Sequence, residues 1–227
     1  MIDKTAIRHA ATVILLRDTY DGPMVPMGQR GTKAAFMPDK FVFPGGALDA
    51  EDSEVELTAL PDTATLERLA NRSAPELVKP LLLAAIREMW EETGHALAQV
   101  NAQASPPAQE QPEGWKEFFN RGWLPDASGL QFIFRAITPP GRPRRFDARF
   151  FLGSADMIAG DPDDFSNASD ELAHLQWIPL EKTREFDLPF VTEVVLAEVQ
   201  SRLSNPDKSH PVPFFTHEGG RSEFYRL

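Results

Sequence analysis

Cysteine is absent from this 227-residue chain, which excludes disulfides, thiolate nucleophiles and cysteine-ligated zinc or iron-sulfur centres. Any metal here has to rest on oxygen or imidazole. Positive charge is scarce as well, with 23 Lys and Arg against 34 Asp and Glu and a formal net charge of -11. A surface that holds nucleic acid by its field needs a basic stripe to neutralise phosphates, so no nucleic-acid partner is expected. A local acidic cluster could instead hold cations. Long apolar runs are missing too: the longest, such as residues 81–86, fall far short of the roughly 20 residues that span a bilayer. The charged stretch 1–9 lacks the apolar segment of a signal peptide. The expectation is a cytoplasmic chain with no membrane partner.

What remains is ordinary for a soluble globular protein, 42% hydrophobic and 25% charged. Thr12, Val13 and Ile14, within the apolar residues 10–16, predict a buried strand, and residues 24–30 read as its hairpin partner across the turn Asp21-Gly22-Pro23. A loop over 31–40 leads to the short strand Phe41-Val42-Phe43, stopped by Pro44-Gly45-Gly46. Residues 49–80 turn acidic and polar, hold one short helix over 63–71, and read as an insertion that does not carry the fold. Strong helix formers fill 81–93 and end at Gly94, a residue suited to the left-handed conformation that closes helices. Beyond a Gln-, Ala- and Pro-rich loop over 99–113, the pattern predicts a short helix over 114–120, strands over 130–137, 148–152 and 172–178, and an amphipathic helix over 188–203. The segment 211–215 reads as packing over an apolar surface. Strands flanking a central helix suggest a mixed sheet between helices, not a regularly alternating doubly wound fold.

The chemistry is concentrated in Arg87-Glu88-Met89-Trp90-Glu91-Glu92. At about 100° per residue, Glu88, Glu91 and Glu92 share one face of a helix. Like charges so placed repel, and a compensating cation is called for. Arg87, four positions before Glu91, can neutralise or orient it but cannot serve all three. The other carboxylates suit Mg2+ or Mn2+, hard ions that prefer oxygen and bridge to phosphates. Ile86, Met89 and Trp90 face the other way, so the helix is expected to have a wet and a dry side. A charge run of this kind is more often just a solvated helix face, and the residues alone leave both readings open.

Residues 84–94, preceded by Phe43-Pro44-Gly45-Gly46, closely resemble the box of the Nudix hydrolases, in which Arg-Glu-x-x-Glu-Glu-x-Gly follows a glycine, five residues and a Glu. Here Gly46 plus five residues leads to Asp52 in place of Glu, and residues 53–86 stand where the family has seven. That insertion, with Ala35-Phe36-Met37-Pro38 and residues 144–151, is similar to the branch that contains the peroxisomal coenzyme A diphosphatase. The resemblance implies one Nudix-like α/β/α sandwich with a mixed sheet over residues 1–227, with 49–80 inserted in the box. It implies Glu88 and Glu92 as direct metal ligands, Glu91 as a ligand directly or through water, the Gly45 carbonyl completing the site, and Arg87 holding the cluster in place. Glu171, ahead of a late strand, is the candidate base, with Asp170, Asp163 and Asp164 weaker. Arg30 and Arg145 are the favoured phosphate contacts, ahead of Arg142 and Arg144, since guanidinium meets phosphate bidentately.

The implied reaction is attack of activated water on a nucleoside diphosphate derivative: coenzyme A or its acyl derivatives, ADP-ribose, a dinucleotide or a nucleotide sugar. The alternative is a catalytically silent Nudix-like sensor that binds a nucleotide. The complete Arg87, Glu88, Glu91, Glu92 set speaks against it, since a pure binder has no need of every metal carboxylate. A homodimer is common in the family, and nothing in the sequence decides it.

Overall fold

Side chains alternate along β1 (Ile7–Leu16): Ala11, Val13 and Leu15 enter one core while Ile14 enters another. Period-two geometry makes such a strand the partition between two apolar layers. The computed structural model describes residues 6–34, 36–100, 111–206, 210–218 and 221–227. Along the chain follow β2 (Met24–Arg30), β3 (Phe41–Val42), β4 (Gly45–Ala47), α1 (Thr63–Ala70), α2 (Val78–Thr93), β5 (Ala98–Val100), α3 (Glu113–Asn120) and β6 (Trp123–Pro125). The remainder comprises β7 (Gln131–Ile137), β8 (Arg145–Ser154), β9 (Leu172–Pro179), α4 (Phe190–Ser204), β10 (Pro213–Glu218) and β11 (Arg221–Arg226).

Six strands form a mixed sheet in the order β11-β10-β7-β8-β1-β4, with β1 parallel to β8 and β10 parallel to β7. A second sheet, β3-β2-β9, is antiparallel throughout, and β5 and β6 form a small ribbon. Phe132 and Phe151 join Val13 and Leu15 against Leu81, Leu82, Ile86 and Met89 of α2. On the other face Phe134, Phe150 and Leu152 join Ile14 against Val195, Leu196 and Val199 of α4 and Val25, Met27 and Ile178 of the second sheet. Burying such a side chain is worth about 1.5–3 kcal/mol, so the two layers hold α2 and α4 on opposite faces. The architecture is the expected α/β/α sandwich with a mixed sheet. No helix among the described residues is long and apolar enough to cross a membrane.

Several local expectations are corrected. Strand β2 is not a hairpin partner of β1. The two share only a bridge between Arg17 and Met24, and β2 pairs with β3 and β9, because Val25 and Met27 are drawn into the α4-side core. The 49–80 segment does carry part of the fold: Val55 and Leu69 are 2% and 1% exposed in the core under α2. Helix α2 is far drier than expected, with thirteen of its sixteen residues buried, Arg87, Glu88 and Glu92 among them, and only Glu91 of the three carboxylates keeps a partly exposed side chain. Residues 211–215 do more than cover an apolar surface, since Pro213 opens β10, which adds to β7. The start of the chain and most of the expected 99–113 loop lie outside the described residues, as does Ala35.

Candidate functional site

Helix α2 ends where expected. Gly94 adopts a left-handed conformation at φ 77°, and its N–H donates to Trp90 O. This stop and the apolar packing of Leu82, Ile86 and Met89 set the rotation of the helix, and so aim its carboxylates at β4 and the loop before β9.

Arg87 organises the cluster. Its Nε and Nη2 donate to Oδ1 and Oδ2 of Asp52 at 2.9 and 3.0 Å, Nη1 donates to Glu88 and Glu91, each at 2.9 Å, and Nη2 also reaches the Ala47 carbonyl at 3.0 Å. A guanidinium has five N–H groups, and all five are used. Burial works against this charge, but the bonds to Asp52 and the carboxylates of Glu88, Asp52 and Glu91 outweigh it and hold the Arg87 pKa above its ordinary value.

Glu92 is left outside that arrangement. Its Oε2 accepts the Gly45 N–H at 2.7 Å, and its Oε1 is buried with no hydrogen-bond partner. Burial, then the Glu88 charge, push the Glu92 carboxyl well above the usual carboxylate range, with Gly45 N–H and Arg30 opposing. Burial also pushes Glu88 up to about 7, against the pull of Arg87. Glu91 is raised for the same first reason.

Two glycines admit these groups. A Cβ on Gly46 would lie 2.3–2.4 Å from the carboxylate atoms of Glu88, and one on Gly45 would lie 2.5 Å from the Ala11 carbonyl. Gly46 therefore makes room for Glu88, while Gly45 makes room for β1. Gly114, in the first turn of α3, stands similarly against Glu91, with a Cβ 2.7 Å from its Oε1.

Glu171 precedes β9 in a loop tied to α2 by the Ser169 N–H donating to Glu91 O at 2.9 Å. Its Oε1 accepts Arg30 Nη2 at 3.0 Å, and its charge raises both Glu88 and Glu92. Arg87, Glu88, Glu91, Glu92, Gly45, Arg30 and Glu171 are thus brought together. Arg145 is not: its Nε donates to the Thr138 carbonyl in the turn between β7 and β8. Asp163 pairs with Arg17, and Asp164 caps Ser166. Sequence reasoning passed over Asp52 as a functional residue, although its position, with five residues between it and Gly46, was the signal.

Six carboxylates, those of Asp49, Asp52, Glu88, Glu91, Glu92 and Glu171, face two guanidinium groups. Among the described residues no three acidic or imidazole groups form a ready-made cation cage, since Arg87 turns Glu88 and Glu91 towards itself. The chemistry of the donors nonetheless fits a hard divalent ion: oxygen ligands, a surplus of negative charge and one buried oxygen with no partner.

No family model matches the chain. A Caenorhabditis elegans protein provisionally named nudix hydrolase 7 is 27% identical over 183 residues, 75% of this chain and 51% of that protein. The chain therefore spans about half the length of that relative. The crystal structure of a Nudix hydrolase from Alicyclobacillus acidocaldarius superposes with a TM-score of 0.65 and 26% identity, covering 85% of this chain and 90% of that one. A C. elegans Ap4A hydrolase is more distant, with a TM-score of 0.49 and 15% identity over 87% and 98% of the two chains. Sequence and structural likeness meet on the Nudix hydrolases, and the fold is the Nudix fold.

Proposed function

We propose that this Nudix-fold chain is a metal-dependent hydrolase that cleaves the pyrophosphate linkage of a nucleoside diphosphate derivative, acting as a single domain over residues 1–227. The observation that carries the reading is Glu92 Oε1, buried and unpartnered beside the carboxylate of Glu88. Leaving such an oxygen unsatisfied is costly, and a cation held between Glu92 and Glu88 would occupy its lone pairs.

Glu88, Glu91 and Glu92 would hold Mg2+ or Mn2+, with the Gly45 carbonyl as a further oxygen. The ion supplies Lewis-acid screening of the diphosphate and activation of water. Arg87, fixed by Asp52, holds the carboxylates in register, as a supporting shell should. Arg30 would take a phosphate oxygen. Glu171, at the solvent side, would accept the proton of the attacking water. The new bond is oxygen to phosphorus, the bond broken joins that phosphorus to the bridging oxygen, and two phosphate monoesters leave.

Coenzyme A or an acyl derivative is the narrower choice of substrate, supported by the resemblance around residues 35–46 and 144–151. The test is a set of diphosphate compounds incubated with magnesium, with products identified by mass. Turnover that vanishes in Glu88→Gln supports the site, and release of a phosphopantetheine fragment from coenzyme A selects the narrower substrate. Turnover indifferent to Glu88→Gln rejects the site, and ligand binding without turnover rejects the enzyme.

A further inference from the structure

On the basis of the diphosphatase reading, we propose that Arg30 is a resident counter-ion that competes with the cation for Glu171 and is passed to the diphosphate when substrate binds. Arg30 closes β2 opposite Leu172, the first residue of β9, so the antiparallel register itself places Glu171 beside it. The pair closes at 3.0 Å with Arg30 at 20% and Glu171 at 54% side-chain exposure. An ion pair half in water is weak and easily exchanged.

Both partners also lie within the field of the acidic helix. Glu171 repels Glu88 and Glu92, while Arg30 attracts Glu92. The two guanidinium groups of the site differ in what they have left to give. Arg87 has every N–H committed to protein oxygens, so it cannot turn to a ligand without releasing the cluster. Arg30 Nε, by contrast, is buried with no partner. A guanidinium held by a single N–H on a half-exposed carboxylate, with its Nε uncommitted, can turn to a two-point grip on a phosphate. In the cation-free protein Arg30 offsets part of the excess negative charge. A bound ion makes that service unnecessary, and the two positive charges repel. Diphosphate then draws Arg30 off, leaving Glu171 free to turn to the reacting water.

The test measures binding rather than turnover. Mn2+ binding is followed by electron paramagnetic resonance, and binding of methylenediphosphonate, whose carbon bridge is not hydrolysed, by calorimetry, in the wild type, Arg30→Met and Glu171→Gln. Arg30→Met is expected to bind Mn2+ about two- to fivefold more tightly, the reach of a partly exposed ion pair, and methylenediphosphonate about tenfold more weakly. Glu171→Gln is expected to do the reverse: weaker Mn2+ and, without metal, tighter methylenediphosphonate, because Arg30 is released. A purely structural Arg30 would weaken both ligands together. Equal or weaker Mn2+ binding by a folded Arg30→Met overturns the proposal. Should that variant not fold, cation-free methylenediphosphonate binding unchanged or weakened in Glu171→Gln overturns it instead. A wild type that binds no Mn2+ overturns the diphosphatase reading and this proposal with it, whereas Mn2+ binding that fails to respond to Arg30 overturns this one alone.

Discussion

Asp52 and Arg87, 35 positions apart in sequence, meet in a two-pronged ion pair, Nε to Oδ1 at 2.9 Å and Nη2 to Oδ2 at 3.0 Å, with Asp52 fully buried. The pair joins the first turn of the 49–80 segment to the acidic helix. Removing one member of a buried pair strands the other charge in a medium that cannot solvate it. Asp52→Ala is expected to lower unfolding free energy by about 3–5 kcal/mol, read from urea denaturation. An effect below about 1 kcal/mol, the worth of an exposed pair, would show that the pair does not hold the segment.

Gly46→Ala and Gly45→Ala should fail in different ways. The Cβ on Gly46 meets the end of the Glu88 side chain, which can swing aside, while the Cβ on Gly45 meets the backbone of Ala11 and Thr12, which cannot. Gly46→Ala is therefore expected to keep a near-wild-type unfolding midpoint and lose about tenfold or more in Mn2+ affinity, the scale of a disturbed ligand. Gly45→Ala is expected to lower the midpoint itself. A midpoint unchanged in both variants would contradict the β1 contact.

Stability without cation should rise on mild acidification. Burial raises the Glu88 carboxyl from 4.5 to about 7, so between those values the folded protein binds more protons than the unfolded chain, and folding is favoured as pH falls through that window. Glu92 acts in the same direction. Urea midpoints in chelator at about pH 5.5, inside that window, and at about pH 7.5, above it, test this. Cation binding should show the opposite trend, weakening below about pH 7 and releasing protons as the carboxylates ionise. A midpoint that is higher at the alkaline end would sink the idea.

A second buried charge cluster should behave with the reverse sign. Asp147 accepts Arg135 Nε and Nη2, each at 2.8 Å, and its Oδ2 pairs with Arg149 Nη1 at 3.0 Å. Burial opposes the Asp147 charge, but the bonds from Arg135, the nearby His9 ring and the Arg149 charge outweigh it and hold its carboxyl well below the usual range. Its contribution is present above the ordinary carboxylate pKa and is lost only as pH falls through the depressed value. Asp147→Ala leaves two buried guanidinium groups uncompensated and is expected to cost about 3–5 kcal/mol at neutral pH, measured by denaturation. The same arginines also bind the Arg72 carbonyl and Ser73 Oγ, so proteolysis within 49–80 is expected to accelerate in that variant.

Local signals proved sufficient for some elements. The helix carrying Glu88, Glu91 and Glu92, its stop at Gly94, and the buried strand around Val13 follow from propensity and periodicity, which act over a few residues. The pairing of β2 with β9 was not legible, because Val25 and Met27 would suit either core and only tertiary packing chooses. Burial of the acidic face was not legible either, since charge in a sequence says water while Asp52 and Arg87 supply protein partners instead. Arg145 looked as suitable for phosphate as Arg30. Its side chain is directed by the turn it closes, to the Thr138 carbonyl.

The sequence by itself determined which donors exist, hard oxygens with no thiol, and that three of them share a helical face, because helix geometry is local and repeats every turn. Only the tertiary structure decided which carboxylates Arg87 takes and which it leaves. Five N–H groups are shared among whatever oxygens folding brings within reach, and the place of Asp52 at that table is settled by a chain path 35 residues long.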